Sequence, residues 1–174
     1  YEAVLLLGTT TDTEDMTGTV LTEQPVDVTE EQVRQVIASY VGTYEQVPPM
    51  YSAIKVNGQK LYDLARQGQV IERKPRPVTI YTLEILDMDL PRIRLRIRCS
   101  RGTYIRSLCR DIGESLSCGG CMEQLIRTRA CGFHAAQSLR LDEIEAHEKD
   151  GTLAGYITAI DEMYAELPKL TVTE

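Results

Sequence analysis

The chain of 174 residues lacks the features that several common protein classes require. It has no apolar run long enough to span a bilayer and no secretory signal pattern, which argues against a membrane protein and a secreted one. A glycine-rich phosphate loop of the Walker or Rossmann kind is also missing. Both histidines, His134 and His147, lie in the acidic C-terminal part, so no Ser-His-Asp or Cys-His arrangement is indicated. Redox and hydrolytic metal chemistry therefore have no support in the sequence.

Cysteine is present but forms no recognisable framework. The five cysteines are an odd number, and without a secretory signal they indicate free thiols in a reducing cytoplasm. Cys118 and Cys121 have the spacing of half a zinc site, but a second pair is missing and neither histidine completes a usual pattern. We expect a glycine turn between small cysteines and no metal; zinc and a redox pair are the less favoured alternatives.

The charge is unevenly distributed along the chain. The formal net charge of -7 argues against nucleic acid as a partner. Residues 55–129, however, contain 15 Lys and Arg against 8 Asp and Glu, whereas the remainder contains 4 and 18. A basic middle between acidic flanks is typical of a polyanion-binding surface on a soluble protein. The alternative is an arginine face that is merely solvated.

Residues 92–106 form the most informative stretch. In residues 92–99 arginine and apolar residues alternate, which predicts a strand with an arginine face. The chain then turns at Gly102 and is predicted to carry Thr103, Tyr104 and Arg106 in the first turn of a helix. A cation is poorly placed for the helix dipole there, so Arg106 should have a specific carboxylate or phosphate partner. This arrangement suits a site for a flipped-out nucleotide.

The wider pattern predicts an α+β fold on a mixed, mainly antiparallel sheet. Strands are predicted at residues 1–7, 19–21, 50–56, 78–88, 92–99 and 125–133, with a further one beginning at residues 170–173. Helices are predicted after Thr29 and at residues 61–67, 103–116 and 141–147. Asn57 and Gly58 predict a tight hairpin turn.

Several other residues could bind a ligand or serve only the fold. Asp12 and Asp15 could each bind an arginine or simply cap a turn. Tyr51 and Lys55 would share one face of a strand, and together with the neighbouring basic residues they could contact phosphate groups. These neighbours are Lys60, Arg66, Arg73, Lys74 and Arg76. Lysine and arginine on a hairpin are also commonly just solubilising.

Four segments together closely resemble the TruB family of tRNA pseudouridine synthases, in its bacterial form. They are YEAVLLLG with TDTEDMTG (1–18), PPMYSAIK with GQKLYDLARQG (48–68), CSRGTYIR (99–106) and LIRTRACGF (125–133). The resemblance extends to about Asp161. It implies an isomerase that flips a T-loop uridine of tRNA, at tRNA position 55, detaches the uracil and rejoins it through C5. It implies tRNA, through its T-arm, as the partner, and neither cofactor nor metal.

The resemblance also implies roles for individual residues. Tyr1 would stack on the flipped base and assist loss of its C5 proton, in the same cavity as Arg106, which would orient the nucleophilic aspartate. Tyr104 would support the site, Leu125 would line its pocket, and Asp15 would anchor the arginine. RNA contacts would come from Tyr51, Lys55, Lys60, Arg66, Arg73, Lys74, Arg76, Arg101, Arg127 and Arg129.

One departure from the family pattern changes the expectation. The family's nucleophilic aspartate lies upstream of Tyr1 in a Gly-x-Leu-Asp motif, which this sequence does not contain. We therefore expect an inactive part of a catalytic domain in residues 1–161, followed by a linker and the start of another domain in residues 162–174. The sheet edge beside Tyr1 would be bare and open to another chain, and Arg106 would be a buried cation without its partner.

Two other hypotheses remain open. A non-catalytic module that binds or folds RNA explains the basic middle and the aromatic residues equally well. A protein-interaction domain explains the acidic flanks but leaves the Thr-Tyr-Ile-Arg segment unexplained.

Overall fold

The computed structural model describes residues 1–164 and 167–168. They fall into two compact units, residues 1–130 and a second that begins at residue 131. The strands of the first unit are β1 Glu2–Leu7, β2 Thr9–Thr11, β3 Val20–Glu23, β4 Gly42–Gln46, β5 Lys55–Val56, β6 Gln59–Lys60, β7 Arg76–Asp89, β8 Arg92–Cys99, β9 Gly120–Ile126 and β10 Arg129–Ala130. Its helices are α1 Glu30–Ser39, α2 Leu61–Arg66 and α3 Ile105–Ser115.

A five-stranded antiparallel sheet forms the centre of the first unit. The strand order is β4-β7-β8-β1-β9, with β7 and β8 joined as a hairpin. The predicted α+β class with a mainly antiparallel sheet is confirmed. Strand β1 lies between β8 and β9, so the prediction of a bare edge beside Tyr1 is wrong. Both sides of β1 are paired, so it is an interior strand, and β4 and β9 form the edges of the sheet.

One face of the sheet carries the core. Strands β1 and β8 present alternate apolar side chains to this face, and they pack against α1 and α3 in one cluster. The cluster includes Ala3, Leu5, Leu7, Ile93, Leu95 and Ile97 from the sheet and Val33, Ile37, Ile105, Leu108 and Ile112 from the helices. Helix α3 is therefore fixed on the sheet by the apolar side of its first two turns.

The other face of the sheet is charged and exposed. Arg92 pairs with Glu123 at 2.9 Å, while Glu2 of β1 accepts from Arg94 at 3.3 Å and from Arg96 at 3.0 Å. Acidic side chains on the flanking strands thus compensate much of the arginine row of β8. Of the two interpretations of this row, the solvated arginine face fits its contacts better than a free polyanion-binding surface.

Local signals in the sequence give mixed results. Helix α1 begins after Thr29 as predicted, and Thr29 forms a capping box with Gln32 there. Asn57 and Gly58 form the predicted turn, which joins β5 to β6. The predicted strand at residues 50–56 is wrong except for Lys55 and Val56. Residues 50–54 bend instead, because Met50 packs on Leu61 and Leu64 of α2 and the amide of Tyr62 bonds to the carbonyl of Ser52.

Two other boundaries also differ from the predictions. The predicted strand at residues 125–133 is interrupted after Ile126, and Cys131 and Gly132 have positive φ values of 50° and 91°, which form a turn. Helix α3 begins at Ile105 rather than at residue 103. Tyr104 is its N-cap, with extended backbone, because Thr103 is held in the preceding turn by bonds to Ser100.

The second unit contains short elements. They are β11 Phe133–His134, α4 Leu141–Lys149 and three 3-10 turns at Ala135–Gln137, Leu153–Tyr156 and Glu162–Tyr164. The rings of His147 and Tyr156 lie 4.2 Å apart. The predicted strand at residues 170–173 lies outside the described residues. Within the described part of the chain, no helix is long and apolar enough to cross a membrane.

Candidate functional site

The site is built on the polar side of α3. The apolar side of this helix packs on the sheet, so Arg106 and Arg110, which are four residues apart, project together from another side. Both side chains reach the loop that follows β2, at residues 12–17. Two successive turns of one helix therefore hold one loop.

Arg106 is fixed by three different segments. Its guanidinium donates to Asp15 Oδ2 at 3.0 Å, to the carbonyl of Thr13 at 3.0 Å and to the carbonyl of Tyr51 at 2.8 Å. The predicted specific partner is thus a carboxylate, Asp15. Arg106 is thus paired within this chain and is not an isolated buried cation, because the loop carrying Asp15 folds back onto α3. The absence of its other expected partner, the nucleophilic aspartate, stays a prediction.

Asp15 is held ionised by its own loop. Its Oδ1 accepts from the hydroxyl of Thr13 at 2.8 Å, the hydroxyl of Thr17 at 2.5 Å and the amide of Thr17 at 3.0 Å. Burial raises the pKa of Asp15, but these hydrogen bonds and Arg106 outweigh it and leave the pKa below its usual value. Asp12, in contrast, caps the turn by accepting from the amide of Thr19 at 2.7 Å.

A second, more deeply buried cluster lies beside the first, and the sequence analysis missed it. Glu14, only 7% exposed, accepts from the hydroxyl of Ser107 at 2.5 Å and forms an ion pair with Arg110. Arg110 also binds Asp111 Oδ1 at 2.6 Å and the carbonyl of Val47 at 3.1 Å. The four-residue spacing of the two arginines and the pair Glu14-Asp15 were the available signals.

The two acids that contact Arg110 have raised pKa values. Burial raises the pKa of Glu14, and the opposing effects of Arg110 and Ser107 offset only part of the rise. Burial likewise raises the pKa of Asp111 despite Arg110. The adjacent residues Glu14 and Asp15 therefore have pKa values that are shifted in opposite directions.

Tyr104 is positioned through its backbone. The buried side chain of Gln46 accepts from the Tyr104 amide at 2.9 Å and donates to the Tyr104 carbonyl at 3.0 Å. The residue lines a small cavity of about 220 Å³ that Arg76 and Arg101 also line. The structure thus brings together a predicted support residue and two predicted RNA contacts.

Tyr1 and Leu125 lie on the helix-bearing face of the sheet. Tyr1 is two residues from Ala3 and packs against the core cluster, while Leu125 stands opposite Ala3 in the pairing of β1 with β9. Leu125 is 41% exposed, and the guanidinium of Arg127 lies 5.3 Å from the centre of the Tyr1 ring. In the described residues neither a hydrogen bond nor a cation–π contact joins Tyr1 to Arg106, so their shared cavity stays a prediction.

The basic residues of the 50–76 segment separate into two groups. Lys55, Lys60 and Arg66 line an open cavity of about 600 Å³, and the last two lie over the ring of Tyr62. Lys74 and Arg76 form the second group and are exposed, as are Arg101 and Arg129 outside this segment.

Two residues of this segment depart from the prediction. Arg73 is turned inward and donates to the carbonyl of Pro48 at 3.0 Å. Tyr51 and Lys55 do not share a strand face, because residues 50–54 bend.

The cysteines are free thiols in the interior or at the surface. Cys109, Cys118 and Cys121 are buried, and burial raises the pKa of Cys121 to about 11. The chain turns at residues 116–118, and Gly119 has a φ of 73°. The glycine turn expected between Cys118 and Cys121 is therefore only partly present, because Gly120 and Cys121 already belong to β9. No group of three or more His, Cys, Asp or Glu side chains that could hold a metal occurs among residues 1–164 and 167–168.

Matches to protein family models show which family the chain belongs to. The model of the TruB family pseudouridylate synthase N-terminal domain matches residues 1–105, and that of the tRNA pseudouridylate synthase B C-terminal domain matches residues 106–164. The chain belongs to the TruB family. The two family models meet at the start of α3, whereas the compact units meet after residue 130. The domain boundary expected after residue 161 stays a prediction.

Similar TruB proteins come from bacteria. The chain is 54% identical to the tRNA pseudouridine synthase B of Lachnoclostridium phytofermentans over 144 residues, which cover 78% of this chain and 47% of the relative. It is 43% identical to that of Clostridium kluyveri over 174 residues, which cover 100% and 59%. The chain thus spans about half the length of the curated relatives it matches.

Solved structures share the fold at lower identity. A Cbf5-Nop10-Gar1 complex matches with a TM-score of 0.67 and 25% identity, covering 96% of this chain and 43% of that one. An H/ACA RNP bound to a substrate RNA containing 2'-deoxyuridine matches with a TM-score of 0.63 and 21% identity, covering 96% and 41%. This TruB chain therefore has the fold of pseudouridine synthases.

Proposed function

We propose that this chain forms the substrate-binding side of a tRNA pseudouridine synthase active site that isomerises a T-loop uridine. The observation that carries the proposal is the fixation of Arg106 by Asp15, on the sheet face that also bears Tyr1 and Leu125. Such a site has to accept a base that has left its stack, which costs a few kcal/mol. Family membership supports the proposed reaction, and the contacts of Arg106 support its proposed role.

Each residue has a role in the proposal. Tyr1 stacks on the extruded base and assists loss of the C5 proton; stacking returns about 1–3 kcal/mol per base. Leu125 lines the apolar side of the pocket. Arg106 orients the nucleophilic aspartate, which residues outside these 174 contribute. Asp15 holds Arg106 in place through its ion pair. Tyr104 supports the site through its backbone contacts with Gln46.

The RNA path runs over two basic surfaces of the first unit. Lys55, Lys60 and Arg66 line one open cavity, and Arg76 and Arg101 line another beside Tyr104. Phosphate contacts of this kind position an RNA without reading its sequence. Lys74, Arg127 and Arg129 add positive charge, and the proposed ligand is the T-arm of tRNA.

The test compares the isolated chain with a chimera. In the chimera, these 174 residues replace the matched segment of the Clostridium kluyveri relative, which supplies the remainder of the protein. With T-arm RNA labelled by tritium at C5 of uridine, the chimera should release tritium and the isolated chain should not. Turnover by the isolated chain would show that the nucleophile has been assigned wrongly.

The same assay separates the enzyme from a non-catalytic RNA-binding module. Such a module would bind T-arm RNA in both forms but release no tritium in the chimera. An Arg106→Lys chimera is the matched variant, because it keeps the positive charge and loses the three-way geometry. Its tritium release should fall by at least tenfold while RNA binding is retained; unchanged release would remove Arg106 from the site.

A further inference from the structure

We propose that Glu14 and Arg110 form a positioning pair that holds Asp15 against Arg106. This inference rests on the proposed function, since it gives a purpose to the orientation of Arg106. Glu14 and Arg110 do not touch the proposed substrate position. They act through the loop at residues 12–17, whose placement decides whether Asp15 reaches Arg106.

The geometry is that of two parallel ion pairs between the same two elements. Consecutive loop residues, Glu14 and Asp15, meet arginines that lie one helical turn apart on α3. A shift of the loop along α3 would break both pairs at once. The second pair therefore fixes the register of the first.

The loop is also held from its opposite side. The amide of Met122 in β9 donates to the carbonyl of Glu14 at 3.1 Å, and the amide of Met16 donates to the carbonyl of Met122 at 3.0 Å. Helix α3 packs on β9 beneath the loop. Residues 14–16 are thus held between a helix and a strand that already contact each other.

Glu14 adopts a conformation that needs outside support. Its φ of 65° is in the left-handed region, which a residue with a side chain adopts only when surrounding contacts require it. The side chain is directed inward to Ser107 and Arg110, while the next residue, Asp15, points to Arg106. The strained backbone at Glu14 directs the two carboxylates to arginines on different turns of α3.

The burial of the pair makes it sensitive to loss of one partner. Side-chain exposure is 8% for Glu14 and 17% for Arg110, and a buried charge left without its partner is strongly unfavourable. Arg110 has a substitute acceptor in Asp111, which it already contacts. Removal of the Glu14 charge should therefore leave α3 folded and release mainly the loop.

The experiment measures the coupling between Asp15 and Arg106 in two backgrounds. The unfolding equilibrium constant is measured in urea for the chain, for Asp15→Asn, for Arg106→Gln and for the double variant. The coupling factor is the ratio by which the effect of one substitution on this constant changes when the other is present. We expect a factor on the order of fivefold, as for contacting pairs. The same cycle in the Glu14→Gln background should give a factor below twofold.

A merely structural Glu14 gives a different result. In that case Glu14→Gln lowers stability but leaves the coupling factor unchanged, and the proposal is overturned. The matched control is Glu30→Gln, which removes an exposed ion pair with Arg34 on α1 and should leave the factor at its original value. If Glu14→Gln leaves too little folded chain, Ser107→Ala removes one bond to Glu14 and should reduce the factor in the same direction.

A second readout uses the active chimera. Glu14→Gln should reduce kcat for tritium release by about tenfold with KM for T-arm RNA nearly unchanged, because orientation at the reacting base is lost and phosphate contacts remain. Arg110→Lys should restore part of the rate relative to Arg110→Ala. The urea cycle does not depend on turnover, so an inactive chimera would count against the proposed function and not against the positioning pair.

Discussion

At the scale of single residues, two neighbouring carboxylates have pKa values shifted in opposite directions. Asp15 faces two threonines and Arg106, so its pKa is lowered although burial opposes this. Glu14 is directed into the interior, where burial outweighs Arg110 and Ser107 and its pKa is raised. Relative to the unfolded chain, the folded state therefore favours the ionised form of Asp15 more and that of Glu14 less.

The pH dependence of stability follows from these directions. Ionised Asp15 stabilises the fold above its unfolded pKa, and this contribution is lost as the pH falls through the lower folded pKa. We expect Asp15→Asn to lose less stability than the wild type on acidification from neutral pH. Urea unfolding over a series of pH values measures this, and parallel curves for the two proteins would contradict it.

Glu14 should give the opposite sign. Its contribution is present below the unfolded pKa and declines as the pH rises through the higher folded pKa. As the pH rises from the unfolded pKa of Glu14 through its folded pKa, the stability of the wild type should therefore decrease relative to that of Glu14→Gln. The same urea series measures this. Glu30→Gln on the exposed surface of α1 serves as the control with the same chemical change.

At the scale of elements, the approach of α3 to β9 depends on glycine. A Cβ on Gly113 would lie 2.3 Å from the amide nitrogen of Gly120, far inside any normal contact. The two elements that carry the arginines and Leu125 can pack at this distance because Gly113 has no side chain. Their spacing determines where the loop at residues 12–17 is placed.

The variant Gly113→Ala tests this packing. Overpacking of a filled interior costs about 1–3 kcal/mol, and backbone has to move here, so a loss of at least that size is expected in urea unfolding. Gly155→Ala is the control because nothing lies within 4 Å of a Cβ there. A loss below about 0.5 kcal/mol for Gly113→Ala, the range of ordinary surface changes, would contradict the close approach.

Sequence periodicity was sufficient to predict those elements that are determined by residues close in the chain. Strands β7 and β8 and the start of α1 after Thr29 depend on residues close in the chain, and the two strands and the helix start were predicted. The bend at residues 50–54 was missed because Met50 packs on α2, a contact outside the strand pattern. Glu14 was missed for the same reason: its partners lie 93 and 96 residues further along the chain.

The candidate site divides in the same way. The segment at residues 101–106 pointed to Arg106 directly, and the resemblance to TruB proteins pointed to Asp15. The spacing of residues could not predict that Asp15 accepts a hydrogen bond from Arg106. The loop and the helix that carry these two residues are 91 residues apart in the chain. This long-range contact pairs Arg106 with a carboxylate of this chain, independently of the nucleophilic aspartate.

At the scale of the whole molecule, the net charge of -7 conceals two kinds of basic residue. The arginines of β8 lie among acidic side chains, such as Glu2 between Arg94 and Arg96. Lys60 and Arg66, in contrast, line an open cavity and pair mainly with the ring of Tyr62. We expect the second kind to contribute more than the first to neutralising phosphates.

RNA binding should distinguish the two kinds. Replacing both Lys60 and Arg66 by glutamine should weaken T-arm binding and reduce the slope of log K against log salt by about 1–2, since each lost phosphate contact removes about 0.7–0.9. Replacing both Arg94 and Arg96 by glutamine removes the same charge and should leave the slope unchanged. Equal effects of the two double variants would show that overall charge alone governs binding.

The sheet face with mixed charges has a further consequence for assembly. Arginine and glutamate side chains there stand in water and satisfy one another across β1, β8 and β9. Any molecule laid flat on this face has to dehydrate these groups or leave a layer of solvent between. The face therefore selects for wet, hydrogen-bonding contacts and disfavours the dry stacking by which uncovered sheets aggregate.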